Sequence, residues 1–276
     1  MSFFNQFPKI TYDFASDGID TKIIDIFRYI KASDISLDDI SLYQFYQIQS
    51  GDRPDIVSQQ LYGTPEYYWT FFIINEQLKT GLSGWPMSTE VFEDYMDLEY
   101  SGIVLETTPS ITIDPDGLVT GQPGSLAGLF SIGETVTGVT SGATGTVAFR
   151  DVQQCQLVLR NVSGTFLQEN VRGQTRPGTQ ANQSASYDII TVAAVSEYRN
   201  AAHHFVNGAG LISYKSAHIN EGSRHGIQIG TANPDLTAVS NYEYETELND
   251  ARANLRVIRP ESIRNFAKTY RDLLNA

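Results

Sequence analysis

A chain of 276 residues with 41% hydrophobic and 18% charged side chains can bury a core, which argues against intrinsic disorder as its default state. Its 32 acidic against 19 basic residues give a formal net charge of −13, which repels phosphate backbones and anionic bilayers, so neither nucleic acid nor membrane is an expected partner. A lone cysteine, Cys155, permits no intramolecular disulfide and fits a reducing cytoplasm. With no secretory leader and no apolar run near the roughly 20 residues that span a bilayer, a soluble protein is expected.

The first stretch, FPKITYD, is aromatic and extended, with Pro8 discouraging helix. TKIIDIFRYIKAS follows, and Ile23, Ile24, Phe27 and Ile30 at helical spacing predict a helix there. YQIQSG then reads as a strand turning at Gly51, since Tyr46 and Ile48 alternate with Gln47 and Gln49. Asp52 is expected to cap a helix whose early Pro54 is tolerated, whose inner face is Ile56, Val57 and Leu61, and which Gly63 ends in a left-handed conformation. Thr64, Pro65 and Glu66 open a second predicted helix. From Tyr67 to Ile74 it is apolar around most of its circumference, the mark of a helix covered on several sides. Ser88 is expected to cap a third helix, TEVFEDYMDLEY, with Val91, Phe92, Tyr95 and Met96 on one side.

Composition changes near residue 102. Between 104 and 195 the chain is rich in Gly, Thr, Ser, Val and Gln, and ITIDPDGLVTG, ETVTGVTSGATGTVAF, CQLVLRNV and YDIITVAAV read as strands and hairpins. An internal repeat is present, GLFSIGETVTG (128–138) against GTFLQENVRG (164–173), and the strand spacing suggests a small antiparallel barrel or sandwich. Three segments are therefore expected: 1–103, an inserted β-rich domain over 104–195, and a return over 196–276. Within the last, a hairpin is predicted around Asn207-Gly208, a polar loop over 215–240, and a charged helix or arm in NYEYETELNDAR. A strand over Leu255 to Ile258 follows. A final helix opened by Pro260 carries Ile263, Phe266, Ala267, Tyr270, Leu273 and Leu274 on one stripe.

Candidate chemistry is sparse. Of the four histidines, His203, His204, His218 and His225, the adjacent pair should point to opposite faces of a strand, and the spacing matches no zinc pattern. Asp114-Pro115-Asp116-Gly117 lacks the later carboxylates of a calcium loop and reads as a turn. TSGATGT lacks the lysine of a phosphate loop, Cys155 lies in a strand-like run, and Glu245 and Glu247 sit on a charged, solvated face. No catalytic residue, cofactor site or metal site is assigned, and the chain is not read as an enzyme.

YQIQSGDRPDIVSQQLYGTPEYYWTFFIIN resembles a LysM module, the small fold that often grips N-acetylglucosamine polymers. It departs where GWPMSTEV replaces the usual closing turn and strand, and its second helix is more aromatic than sugar binding requires. More widely, FPKITYD, Asp25 to Arg28, RPDIVSQQLYGTPEYYW, Gly84-Trp85 and IRPESIRNFAKTYRDLL resemble, in order, the LysM-like baseplate wedge subunit of T-even-like contractile-tailed phages. The resemblance, over about 1–100 and 196–276, implies a LysM-like βαα module at about 43–100 with flanking helices and extended arms; with the inserted all-β barrel or sandwich read from 104–195, the expected fold is α+β. The resemblance also implies a structural role in the virion's tail baseplate, assembled in the host cytoplasm. The partners it implies are other wedge subunits and copies of the chain in adjacent wedges, with no small-molecule substrate. Tyr67, Tyr68, Trp69, Phe72, Trp85, Ile263, Phe266, Tyr270 and Leu273 are the candidate interface. The alternative is a LysM-type protein that binds peptidoglycan.

Overall fold

The computed structural model describes residues 7–14, 16, 18–25, 42–107, 126, 129–174, 187–216, 219–223, 226–229 and 235–275. The first elements are β1 (Lys9–Tyr12), β2 (Thr21–Ile24), β3 (Tyr43–Gln47), α1 (Pro54–Tyr62), α2 (Trp69–Ile74) and α3 (Thr89–Glu99). Then come β4 (Ile103–Thr107), β5 (Thr135–Gly138), β6 (Thr144–Asp151), β7 (Gln156–Ser163), β8 (Asn170–Arg172) and β9 (Ile189–Glu197). The chain continues with β10 (Ala202–Asn207), β11 (Ile212–Ser213), β12 (Ile219–Ser223), β13 (Gly226–Ile229) and β14 (Leu236–Ser240). It ends with α4 (Asn241–Ala253), β15 (Asn254–Ile258) and α5 (Ile263–Asn275). Chain packing separates two compact units, Met1–Phe92 with Glu247–Ala276, and Glu93–Thr246.

In the first unit α1 forms as its sequence predicts and ends at Gly63, whose φ of 72° lets its N–H reach Gln59 O at 3.0 Å. The expected cap does not form. Arg53 holds the capping position without a side-chain bond, and Asp52 Oδ2 instead accepts from Gln49 N–H at 3.2 Å, closing the turn that delivers the chain from β3. The aromatic stretch is also not one helix. Thr64 heads a 3-10 turn over Pro65–Tyr67, and α2 begins only at Trp69. Buried Ser58 pins the junction, donating to Thr64 O at 2.8 Å and accepting from Tyr67 N–H at 3.2 Å.

β3 finds its partner far along the chain. It pairs antiparallel with β15, Tyr43 opposite Ile258 and Gln47 opposite Asn254. Along β15 the buried Leu255 and Val257 alternate with the exposed Asn254 and Arg256, so one face of this two-stranded sheet joins the core. Ile48, Val57, Phe71, Leu78 and Ala253 pack with that face, and a second cluster gathers Trp69, Ile74 and Ile258 with the stripe of α5.

The helix predicted in TKIIDIFRYIKAS, 21–33, is corrected in its described part. Residues 21–24 form β2, antiparallel to β1 with Lys9 opposite Ile24. The β-branched Thr21, Ile23 and Ile24 suit a strand, and pairing with KITY satisfies backbone groups that one isolated turn of helix would leave open. Phe27 and Ile30 lie outside the described residues.

In the second unit the β-rich segment closes into a six-stranded barrel in the order β4-β7-β6-β5-β8-β9. Leu105, Val136, Val147, Leu157, Leu159, Val171, Ile190 and Val192 fill it, and Leu126, Phe130 and Phe166 join the same core. Closure leaves no sheet edge, which suits short strands rich in Thr and Gly.

The internal repeat has a physical meaning. Each copy contains Glu-x-Val-x-Gly, Glu134 to Gly138 and Glu169 to Gly173, and the valines point into the barrel while β5 pairs antiparallel with β8. Each glutamate lies against the other copy's glycine. A Cβ at Gly173 would stand 2.2 Å from Glu134 Oε1, and one at Gly138 would stand 2.5 Å from Glu169 Oε1. Glu134 accepts N–H bonds from Ser131 at 2.8 Å and Gln174 at 2.7 Å. Glu169 accepts from the N–H groups of Thr140, Ser141 and Leu167 and from the Ser141 hydroxyl. Burial alone would raise the Glu169 carboxyl, but these bonds outweigh it and bring it down to about 2.

Beyond the barrel β10 pairs with β11 as the hairpin around Asn207-Gly208 predicts, and also with β14. The polar loop expected over 215–240 is corrected, since β12 pairs with β13 and β14 completes a three-stranded sheet. NYEYETELNDARA is a helix, α4, and the segment predicted as the DPDG turn lies outside the described residues.

Candidate assembly surface

The nine candidate interface residues fall mainly within the first unit's own packing. Trp69, Ile263, Phe266 and Tyr270 are 3%, 3%, 6% and 3% exposed, and the Trp69 ring lies 4.9 Å from Tyr270 and 6.3 Å from Phe266. The stripe of α5 is thus covered by α2 of the same chain, because a hydrophobic stripe on a 13-residue helix gains most where large rings already face it. Tyr67, Tyr68, Phe72, Trp85 and Leu273 are half-buried around these clusters. Trp85 ties the segment after α2 back to the turn before α1, its indole N–H donating to Asp52 O at 2.7 Å. Tyr62 does the same for β15, donating to Ile258 O at 2.9 Å, and burial pushes its phenol well above the ordinary range.

Asn75 has a role that no sequence signal marked. Its Nδ2 donates to Arg256 O at 2.9 Å and its Oδ1 accepts from Arg256 N–H at 2.9 Å. The side chain so occupies the edge of β15 that faces away from β3, as a neighbouring strand would. Since Arg256 directs its backbone groups to Asn75, its pair partner Phe45 directs its own backbone groups to the opposite edge, away from β15.

Apolar side chains at the surface lie elsewhere. Phe45 is 73% exposed on β3, Phe14 is 68% exposed beside Tyr12 after β1, and Ile10, Leu82 and Val91 are exposed too. The Tyr12 and Phe14 rings meet edge-on at 4.9 Å. β1 and β2 pair only with each other among the described residues, and β1 shows all four side chains to solvent. A two-stranded hairpin is marginal alone, and here its base is anchored by buried Phe7 and by Asp25 N–H donating to Pro8 O at 2.8 Å.

In the second unit the adjacent histidines break the expected alternation. The register of β10 against β14 slips between Ala202 and His204, and this bulge brings the two Nδ1 atoms to 2.9 Å. His203 stacks on Tyr244 at 3.8 Å with the rings 9° from parallel. Burial first, then His204, push the His203 imidazole below its usual value, while Glu245 acts the other way. Glu245 is itself buried and accepts from the Tyr95 and Tyr100 hydroxyls at 3.3 and 2.8 Å, so it is not on the solvated face expected for it. Among the described residues no group of three or more His, Cys, Asp or Glu could hold a metal, and His218 and His225 lie outside them.

A cavity of about 490 Å³ is lined by Asp97, Tyr100, Ser101, Ile103, Glu197 and Arg199 among others. Its cation is already engaged: Arg199 reaches Glu93 at 2.7 Å and Asp97 at 2.9 Å. No nucleophile with a neighbouring base lines it. Cys155 is buried, and its surroundings push the thiol up to about 11, away from the reactive thiolate. Among the described residues no helix is long and apolar enough to cross a membrane.

Residues 2–103 match the model of a phage family described as base plate wedge protein 53. The match takes in β1 to α3 and reaches the first residue of β4. No curated protein matches the chain.

Proposed function

We propose that the chain is a structural component of a phage tail baseplate wedge, which joins wedge subunits and neighbouring wedges during assembly of a contractile tail. The observation that carries the reading is the similarity of residues 2–103 to a base plate wedge protein. Its partners are other wedge subunits and copies of itself in adjacent wedges, its place is the virion's baseplate, and its assembly takes place in the host cytoplasm. It performs no catalysis.

A LysM-like origin for the first unit is supported by β3, α1, α2 and the antiparallel partner β15, which together make a strand, two helices and a closing strand. Residues 104–195 act as an insertion into that wedge core. Of the candidate interface, Tyr67, Tyr68, Phe72, Trp85 and Leu273 keep part of their surface for a partner, and the exposed Tyr12, Phe14 and Phe45 extend it. Trp69, Ile263, Phe266 and Tyr270 act through the shape they give this unit.

The test is cryo-electron microscopy of intact tails from the phage that encodes the chain. Density for it between wedge subunits is expected; its absence from purified baseplates refutes the proposal. Sedimentation with peptidoglycan separates the alternative, and micromolar binding lost on mutating residues 50–65 decides for a carbohydrate-binding protein. Replacing residues 104–195 by a Gly/Ser linker tests the insertion. The first unit should keep its melting temperature, and aggregation would place those strands in its core.

A further inference from the structure

We propose that His203 and His204 form a one-proton couple that ties solution pH to the position of the β10–β11 hairpin. Two imidazoles meeting Nδ1 to Nδ1 at 2.9 Å need one hydrogen between them. In the neutral pair one ring donates and the other accepts. A first added proton goes to the far Nε2 of the donor ring, so the contact persists as a charge-assisted bond between imidazolium and imidazole. A second must go to the accepting Nδ1. Two N–H groups and two positive rings then face each other at that distance, and the contact has to open.

The surroundings favour keeping the pair at one proton. His204 is buried, and opposite it on β14 stands Val239, which offers no charge. From α4, Tyr244 covers the face of His203, and Glu245 supplies a negative charge that is already shared by two tyrosine hydroxyls. After β11, Tyr214 sits 6.0 Å from His203 and 5.8 Å from His204. From the β6–β7 turn, Gln154 holds the His203 carbonyl. The folded pair therefore binds fewer protons on acidification than two free histidines do. Stability from this contact is present above the ordinary histidine value of about 6.5 and is lost as pH falls through the lowered His203 value. Tyr214 carries the change outward, since it touches both rings and follows Leu211 and Ile212, all three of them exposed.

The experiment records imidazole nitrogen shifts and amide exchange of the full-length protein between about pH 7.5 and 4.5. Two separated, coupled steps are expected. After correction for intrinsic rates, the amides of Phe205 and Val206 should exchange roughly tenfold faster once the second step is passed. His203→Phe keeps a ring on Tyr244, removes the partner nitrogen and should leave the exchange of these amides flat across the range. Should that variant misfold, His203→Gln serves the same comparison. Two independent single steps, or exchange in the wild type that does not change with pH, would overturn the proposal. So would added zinc that strips protons from both rings and raises the melting temperature, which would make the pair metal ligands.

Discussion

The barrel of the second unit and the small sheets of the first solve the same problem in opposite ways. Six short strands in the barrel close on themselves, and even the carboxylates of Glu134 and Glu169 are consumed by neighbouring N–H groups. In the first unit β3 and β15 form a two-stranded sheet whose β15 edge is occupied by the Asn75 side chain, while Phe45 on β3 stays exposed. The barrel's strand edges are finished by its own chain. Apolar side chains are exposed on both, Ile132 and Phe149 on the barrel as well as Phe45 on β3, but among the described residues the small sheets also keep open edges, which suits a protein completed by assembly.

That contrast can be broken most severely in the first unit's core. Phe266→Asp with Tyr270→Asp should unfold this unit, because each change puts a charge among the rings around Trp69. Phe266→Ala alone should cost about 3–5 kcal/mol, read as a lower denaturant midpoint by Trp fluorescence. A double mutant that melts like the wild type would show that α5 is not part of the core and leave its stripe to a partner.

In the barrel the sharpest probe is Glu169→Ala, which leaves the N–H groups of Thr140, Ser141 and Leu167 without their acceptor, a loss of about 1–3 kcal/mol. The pH dependence has a definite sign. Because the folded carboxyl is depressed from 4.5 to about 2, its contribution is whole above 4.5 and fades as pH falls towards 2. Acid titration of the barrel's near-ultraviolet signal should show this loss in the wild type and less of it in Glu169→Gln.

A smaller effect is expected from Asn75→Ala, which uncovers the Arg256 backbone at the sheet edge and should cost about 1–2 kcal/mol by chemical denaturation. The smallest concerns the surface. Phe45→Ser and Tyr12→Ser should alter stability by no more than about 0.5 kcal/mol, yet reduce incorporation into baseplates in a complementation assay. Normal incorporation would remove β1 and β3 from the proposed joining surface.

What could be read from the sequence followed the reach of each signal. α1 with its glycine stop, α3, the strand at 255–258 and the barrel rest on local periodicity and turn chemistry, and they form close to the expected positions. β2 was hidden because Ile23, Ile24, Phe27 and Ile30 satisfy a helical spacing, and only the partner strand Lys9–Tyr12 decides otherwise. The burial of the α5 stripe against Trp69 depends on contacts between segments almost 200 residues apart. Periodicity shows that a stripe needs cover and is silent on what covers it. The paired histidines depended on one slipped residue in β10, below what any pattern of side chains records.

The crossed glutamates and glycines of the barrel have a genetic consequence. A methyl group at Gly173 collides with Glu134, and one at Gly138 with Glu169, so each copy of the motif sets the space open to the other. A mutation in one copy should find its suppressor in the opposite copy. Gly173→Ala should be relieved by Glu134→Asp, which shortens the intruding acid, and not by Glu169→Asp. The repeated motif ties its two halves together, since neither can lengthen or fill in while its twin stays as it is.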